Sequence, residues 1–171
     1  MIFWKNQQYK IQLKLEPTCY IFIVYRVIHG TNEIAYLLGC ADDDRNNPSH
    51  HAIGFQNKTL HISNGMGGLL NYTSFPKTNP TDRSIWHVLC VEWSPEQSSV
   101  WVNTKKVHSF TSNFKDQSTY FILAGMIMND LRTWWYGSLA HVELYNSQLK
   151  DFEKYFIQKS LCATYDIPVD D

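Results

Sequence analysis

Trp86-His87-Val88-Leu89-Cys90-Val91-Glu92-Trp93 is the stretch on which the fold turns. Its aromatic and β-branched side chains, in a run this short, read as a strong strand. Ser94-Pro95-Glu96-Gln97 follows as a turn. Val100–Asn103 and Lys105–Phe110 then read as a hairpin pair. Outward from this block the pattern repeats. Cys19 to Ile28 is apolar on both alternating faces, with Ile21, Ile23 and Tyr25 against Phe22 and Val24. Such a strand belongs in the middle of a sheet covered on both sides. Tyr9 to Leu15 alternates instead, with Ile11, Leu13 and Leu15 opposed to Lys10, Gln12 and Lys14. It predicts a strand with one wet face.

Shorter strands are expected over 35–40, 52–55, 59–63, 69–74, 121–124 and 137–145, separated by polar or proline-containing turns. The tail changes period. Leu149, Phe152, Phe156, Ile157 and Leu161 fall at helical spacing, with Ser147 placed as the N-cap. Many short strands and one terminal helix predict an all-β protein, an antiparallel β-sandwich (jelly roll) with a C-terminal helix. The domain is expected over residues 1–165, with 166–171 as a linker or tail.

The 171 residues fit one domain, and 44% hydrophobic residues suffice for a real core. A net charge of −1 with dispersed Lys and Arg excludes a dedicated nucleic-acid binder, which needs a basic surface. No apolar run is long enough to insert across a membrane. Cys19, Cys40, Cys90 and Cys162 contain no CxxC pair, which excludes a zinc ribbon or thioredoxin-type motif. The sequons at Asn57 and Asn71 carry no weight, because roughly two arise by chance at this composition.

Three segments together resemble the laminin-G/pentraxin group of the concanavalin A-like lectin/glucanase superfamily. The first is Trp86–Trp93, the turn, and Val100 to Val107, similar to a W-H-x-x-x-V-x-W strand followed by an Asn-Gly-Lys hairpin; Thr104 stands where the group has glycine. The second is Phe121-Ile122-Leu123-Ala124-Gly125, a loop, then Gly137-Ser138-Leu139-Ala140-His141-Val142-Glu143-Leu144-Tyr145. The third is Leu149-Lys150-Asp151-Phe152-Glu153, with Tyr165 as the closing aromatic. The resemblance implies a jelly roll and a Cys19–Cys90 disulfide, and hence an oxidising, extracellular or cell-surface setting within a longer chain.

The resemblance also places calcium on a rim loop. Asp42, Asp43, Asp44, Asn46 and Asn47 supply the hard oxygen donors that calcium takes, joined by Asp130 and Asn129 of a second loop. The Glu-Gln-Asp run of pentraxins is absent from that second loop. Trp134, Trp135 and Tyr136 are the candidate rings for stacking on a sugar, with Asn129 and His50 as hydrogen-bonding partners and Tyr72 and Trp101 as weaker candidates. His50-His51 is a candidate transition-metal pair, whereas His87 reads as structural.

Glycoside hydrolases of this fold carry Glu-x-Asp-x-Glu strands, and no glutamate here is followed two residues later by Asp. No G-x-S-x-G elbow exists either. The expected function is therefore non-catalytic recognition of a carbohydrate or glycoprotein, with a homo-oligomer or repeat neighbours supplying avidity. The alternatives are a structural or adhesive protein–protein interaction domain of a surface or viral fibre protein and, ranked below it, a glycan-active enzyme.

Overall fold

The computed structural model describes residues 2–3, 9–27, 34–40, 51–56, 59–65, 69–72, 85–114, 118–123, 125–128, 131–134 and 137–169. Its strands run Ile2–Phe3 (β1), Tyr9–Leu15 (β2), Cys19–Val27 (β3), Ala35–Cys40 (β4) and Ile53–Gln56 (β5). Thr59–Ser63 (β6), Leu69–Tyr72 (β7), His87–Trp93 (β8), Gln97–Val102 (β9) and Lys105–Thr111 (β10) follow. The last are Ser118–Leu123 (β11), Gly125–Met128 (β12), Leu131–Trp134 (β13) and Gly137–Tyr145 (β14), before the helix Asp151–Thr164 (α1). One six-stranded sheet has the order β1-β14-β3-β8-β9-β10, and a second has β2-β11-β4-β5-β6-β7. All pairings are antiparallel, and β12–β13 is a separate hairpin. The chain has the jelly-roll sandwich that its strand pattern predicts.

Strand β3 lies between β14 and β8 and is the most completely buried strand of its sheet. Its register sets Cys19 opposite Trp93, Ile21 opposite Val91 and Ile23 opposite Leu89. That face joins Leu37, Ile53, Phe55, Leu60 and Ile62 of the second sheet in the sandwich core. The other face carries Tyr20, Phe22 and Val24 with Val88 and Cys90, and is covered by Leu161, Cys162 and Ile167. Burying an apolar side chain of this size contributes roughly 1.5–3 kcal/mol, so one strand anchors two cores.

The same register corrects the expected disulfide. Cys90 stands opposite Phe22, and Phe22 points away from Cys19 because successive side chains alternate faces. The two thiols belong to separate cores. Burial pushes the Cys90 thiol well above its ordinary value, with Glu92 adding to the shift, and pushes Cys162 up to about 11. Neither is a poised thiolate.

The helix differs from expectation in start and in rotation. It begins at Asp151 with Lys150 as N-cap, not Ser147, and the Lys150 backbone N–H donates to Glu153 Oε2 at 2.7 Å. Its buried face is Lys154, Gln158, Leu161 and Cys162, while Phe152 and Phe156 are 56% and 63% exposed. At the far end Asp166 takes φ 53° and the Ile167 N–H donates to the Cys162 carbonyl at 2.8 Å. This is a Schellman ending, and it folds Ile167 into the helix-side core. The segment read as a linker from residue 166 is thus packed structure through Val169.

The hairpin between β9 and β10 keeps a left-handed turn without glycine. Asn103 and Thr104 have φ 48° and 75°, between the paired Val102 and Lys105. Asn103 donates its N–H to the Val88 carbonyl and accepts the Val88 N–H on Oδ1, both at 2.9 Å. Those bonds hold the turn although a β-branched residue is strained there. Thr104→Gly should relieve that strain and raise stability by about 1 kcal/mol, net of glycine's extra chain entropy. Urea denaturation checks this; an unchanged or lower midpoint would show that Thr104 is not strained.

Candidate functional site

The register of β3 sets Tyr20 opposite both Tyr145 and Glu92, so three strands finish level at one end of the first sheet. The segments flanking those ends are polar: Glu16-Pro17-Thr18 entering β3, Ser94 leaving β8, and Asn146 to Gln148 leaving β14. They enclose an open cleft of about 490 Å³, lined by Glu16, Pro17, Thr18, Tyr20, Glu92, Ser94, Asn146 and Gln148. That volume suits a small ligand. The Glu16 backbone N–H donates to Asn146 Oδ1 at 3.3 Å and ties two walls together.

A fixed charge network forms the floor. Tyr20 Oη donates to Glu92 Oε1 at 2.9 Å, and Lys154 Nζ donates to Glu92 Oε2 at 3.3 Å. Lys154 also meets Asp151 Oδ1 at 2.8 Å. Its ammonium lies 4.8 Å from the Trp101 ring centroid and 5.6 Å from that of Tyr20. Contacts of this kind contribute about 0.5–2 kcal/mol each when partly desolvated. Burial opposes the Lys154 charge, but the Asp151 hydrogen bond and the Glu92 and Asp151 carboxylates outweigh it and hold the pKa above the ordinary lysine value. The Lys154 hydrogen bond in turn pulls Asp151 below the usual carboxylate range. Burial, followed by the bond to Glu92, raises the Tyr20 phenol far above its usual value, so it stays a donor. With both oxygens engaged, Glu92 holds structure and is not arranged to shuttle a proton.

Beside this network, His141 Nε2 lies 2.7 Å from Glu143 Oε1, and Tyr145 Oη donates to Glu143 Oε2 at 2.9 Å. This row lies on the helix-side face of β14, opposite Val24, Phe22 and Tyr20.

The cleft lining includes none of the described residues picked out by sequence. Asp42, Asp43, Asp44, Asn46, Asn47, His50, Asn129, Asp130, Trp135 and Tyr136 lie outside the described residues. Trp134 ends β13, paired with Gly125. Trp101 is 9% exposed and packs under Lys154, so it offers no open ring for a sugar. His51 is a core residue, stacked on Phe114 at 4.3 Å and edge-on to Trp93 at 4.8 Å. His87 is buried beside Tyr25, as a structural histidine should be. Among the described residues no cluster of three His, Cys, Asp or Glu side chains could hold a metal ion. The cleft residues carry only ordinary turn signals in sequence, and it is the register that brings three turns together.

No protein-family model matches the chain, and no curated protein matches its sequence. Solved structures do resemble it. The heptameric SAP-like pentraxin of Limulus polyphemus superposes with a TM-score of 0.64 at 11% identity, over 98% of this chain and 82% of that one. The fold is that of the concanavalin A-like jelly rolls. The CBM40 of Ruminococcus gnavus IT-sialidase, solved with α2,3-sialyllactose, gives 0.63 at 14% identity over 89% of this chain and 98% of that one. Domains LG4-5 of the mouse laminin α1 chain give 0.62 at 17% identity, over 86% of this chain but 40% of that one. None of the described helices of this jelly roll is long and apolar enough to cross a membrane.

Lys154→Met keeps the aliphatic stem against the rings and removes the charge. It should cost about 2 kcal/mol, because Glu92 is left half-buried without its cation. Adding Glu92→Gln should restore at least half of that loss, read by urea denaturation of all four members of the cycle. Additive losses would show that the pair is uncoupled. Because the folded pKa of Lys154 is raised, its contribution is complete below the unfolded lysine value and fades as pH rises through the folded one. The alkaline loss of stability should accordingly be shallower in Lys154→Met than in the parent chain.

Proposed function

We propose that this chain is a non-catalytic glycan-recognition module of a secreted or surface protein, and that the cleft at the level ends of β3, β8 and β14 receives the sugar. The composition of that cleft carries the reading. Hydroxyls of Thr18 and Ser94, amides of Asn146 and Gln148, and the carboxylate of Glu16 line a single small concavity. A saccharide presents hydroxyls that both donate and accept, and such a lining matches them in kind. The CBM40 neighbour bound to α2,3-sialyllactose supports a sugar as ligand for this fold. An enzymatic role finds no support in the cleft, where Glu92 is committed to Tyr20 and Lys154.

Calcium enters the proposal as the cation of the Asp42–Asn47 loop with Asn129 and Asp130, a second place where a glycan would be held. A glycan array with the chain displayed multivalently, in calcium and then in EDTA, separates the two, because avidity reveals weak single sites. Binding that survives EDTA should weaken about tenfold in Thr18→Ala or Gln148→Ala, the cost of about one hydrogen bond with its partner left unpaired. Binding lost in EDTA would move the site to the acidic loop. An array without binding in either condition would reject glycan recognition.

A further inference from the structure

Three donors at the cleft are already committed within the chain. The Tyr20 hydroxyl gives its proton to Glu92 Oε1 at 2.9 Å. The Ser94 hydroxyl gives its own to the Gln97 carbonyl at 2.9 Å. The Glu16 backbone N–H donates to Asn146 Oδ1 at 3.3 Å. A hydroxyl whose proton is taken still accepts, so Ser94 meets a ligand as an acceptor. The carboxylates of Glu16 and Glu92 accept only. The Thr18 hydroxyl and the Gln148 amide remain as donors, and both are uncharged.

Charge runs the same way. Among the described residues no lysine, arginine or histidine lines the cleft. The cation beneath it, Lys154, is outnumbered by its own partners, Glu92 Oε2 at 3.3 Å and Asp151 Oδ1 at 2.8 Å. Lys150 lies 5.8 Å from the centroid of Phe152, on the exposed side of α1. Glu96, two residues past Ser94, is a further exposed carboxylate.

We infer that the cleft takes an uncharged saccharide and turns away an acidic one. This rests on the glycan reading above and names the class of sugar that the cleft admits. Sugar hydroxyls donate to the carboxylates and to Ser94, and a hydroxyl bonded to a carboxylate makes the stronger kind of hydrogen bond. They accept in turn from Thr18 and Gln148. A sugar carboxylate or sulfate only accepts. It would face Glu16 and Glu92 with no proton between them, and two neutral donors do not offset the water it gives up. The selectivity comes from what the cleft does to the wrong ligand as much as from what it offers the right one.

Matched pairs of immobilised sugars test this: methyl glucoside against methyl glucuronide, and methyl galactoside against methyl galacturonide. Each pair shares its ring and differs in a hydroxymethyl or carboxylate group. The chain is displayed multivalently in EDTA at low salt. The neutral member should bind about tenfold more tightly or better, the weight of one or two charges at contact distance in water. The gap should narrow as salt is raised, because screening acts over about 10 Å at 0.1 M. Glu16→Gln removes one charge at constant shape and should narrow the gap about fivefold. Equal binding of both members, or preference for the acidic one, overturns this inference and leaves glycan recognition standing. A gap unchanged in Glu16→Gln overturns it as well, since the discrimination would then lie outside the cleft. Absence of binding to every member in EDTA rejects the cleft as a glycan site, and this inference with it.

Discussion

Burial of β3 on both faces is the constraint on which the structure depends. A strand that carries Ile21, Ile23 and Tyr25 on one side and Tyr20, Phe22 and Val24 on the other cannot be left with a wet face. The second sheet covers one side, and the helix with the chain beyond it covers the other. The protein is therefore three layers deep at its centre. The Schellman ending at Asp166 belongs to that requirement, because it folds Ile167 back over the strand instead of releasing the chain to solvent. The separation into two cores also keeps Cys19 and Cys90 apart.

The outer layer is joined to the sheet by a charge as well as by hydrophobic contact. Lys154 is drawn inward because its ammonium meets Glu92 and lies over two rings, and its stem fills the space between. This outcompetes the burial of Phe152 and Phe156, which helical periodicity favours. A paired cation over aromatic faces is stabilised locally, and breaking that pair would strand Glu92 at the edge of the core. One ion pair thus sets how the helix is rotated, which residues floor the cleft and which rings face outward.

The cleft is a consequence of register. Tyr20 has a partner on each neighbouring strand, so the flanking turns arrive at one level and their polar side chains converge. A shared fold does not fix the ligand, which has to be argued from the side chains.

Strand content, the central place of β3, the β8–β10 block and the terminal helix were all legible in the sequence, because alternation and helical spacing are local patterns. The left-handed Asn103-Thr104 turn was partly legible, since the Asn is the turn residue but the Thr contradicts it. The hairpin from Gly125 to Trp134 reads as loop because its strands are four residues each, too short for alternation to show. The separation of the thiols needed the pairing register. The rotation of the helix needed knowledge that Glu92 and two rings wait beneath residue 154, and the cleft needed three turns far apart in sequence to end together. Local pattern alone determined the elements of this protein. Tertiary structure decided which faces they bury and where a ligand can sit, because those depend on contacts between residues separated by much of the chain.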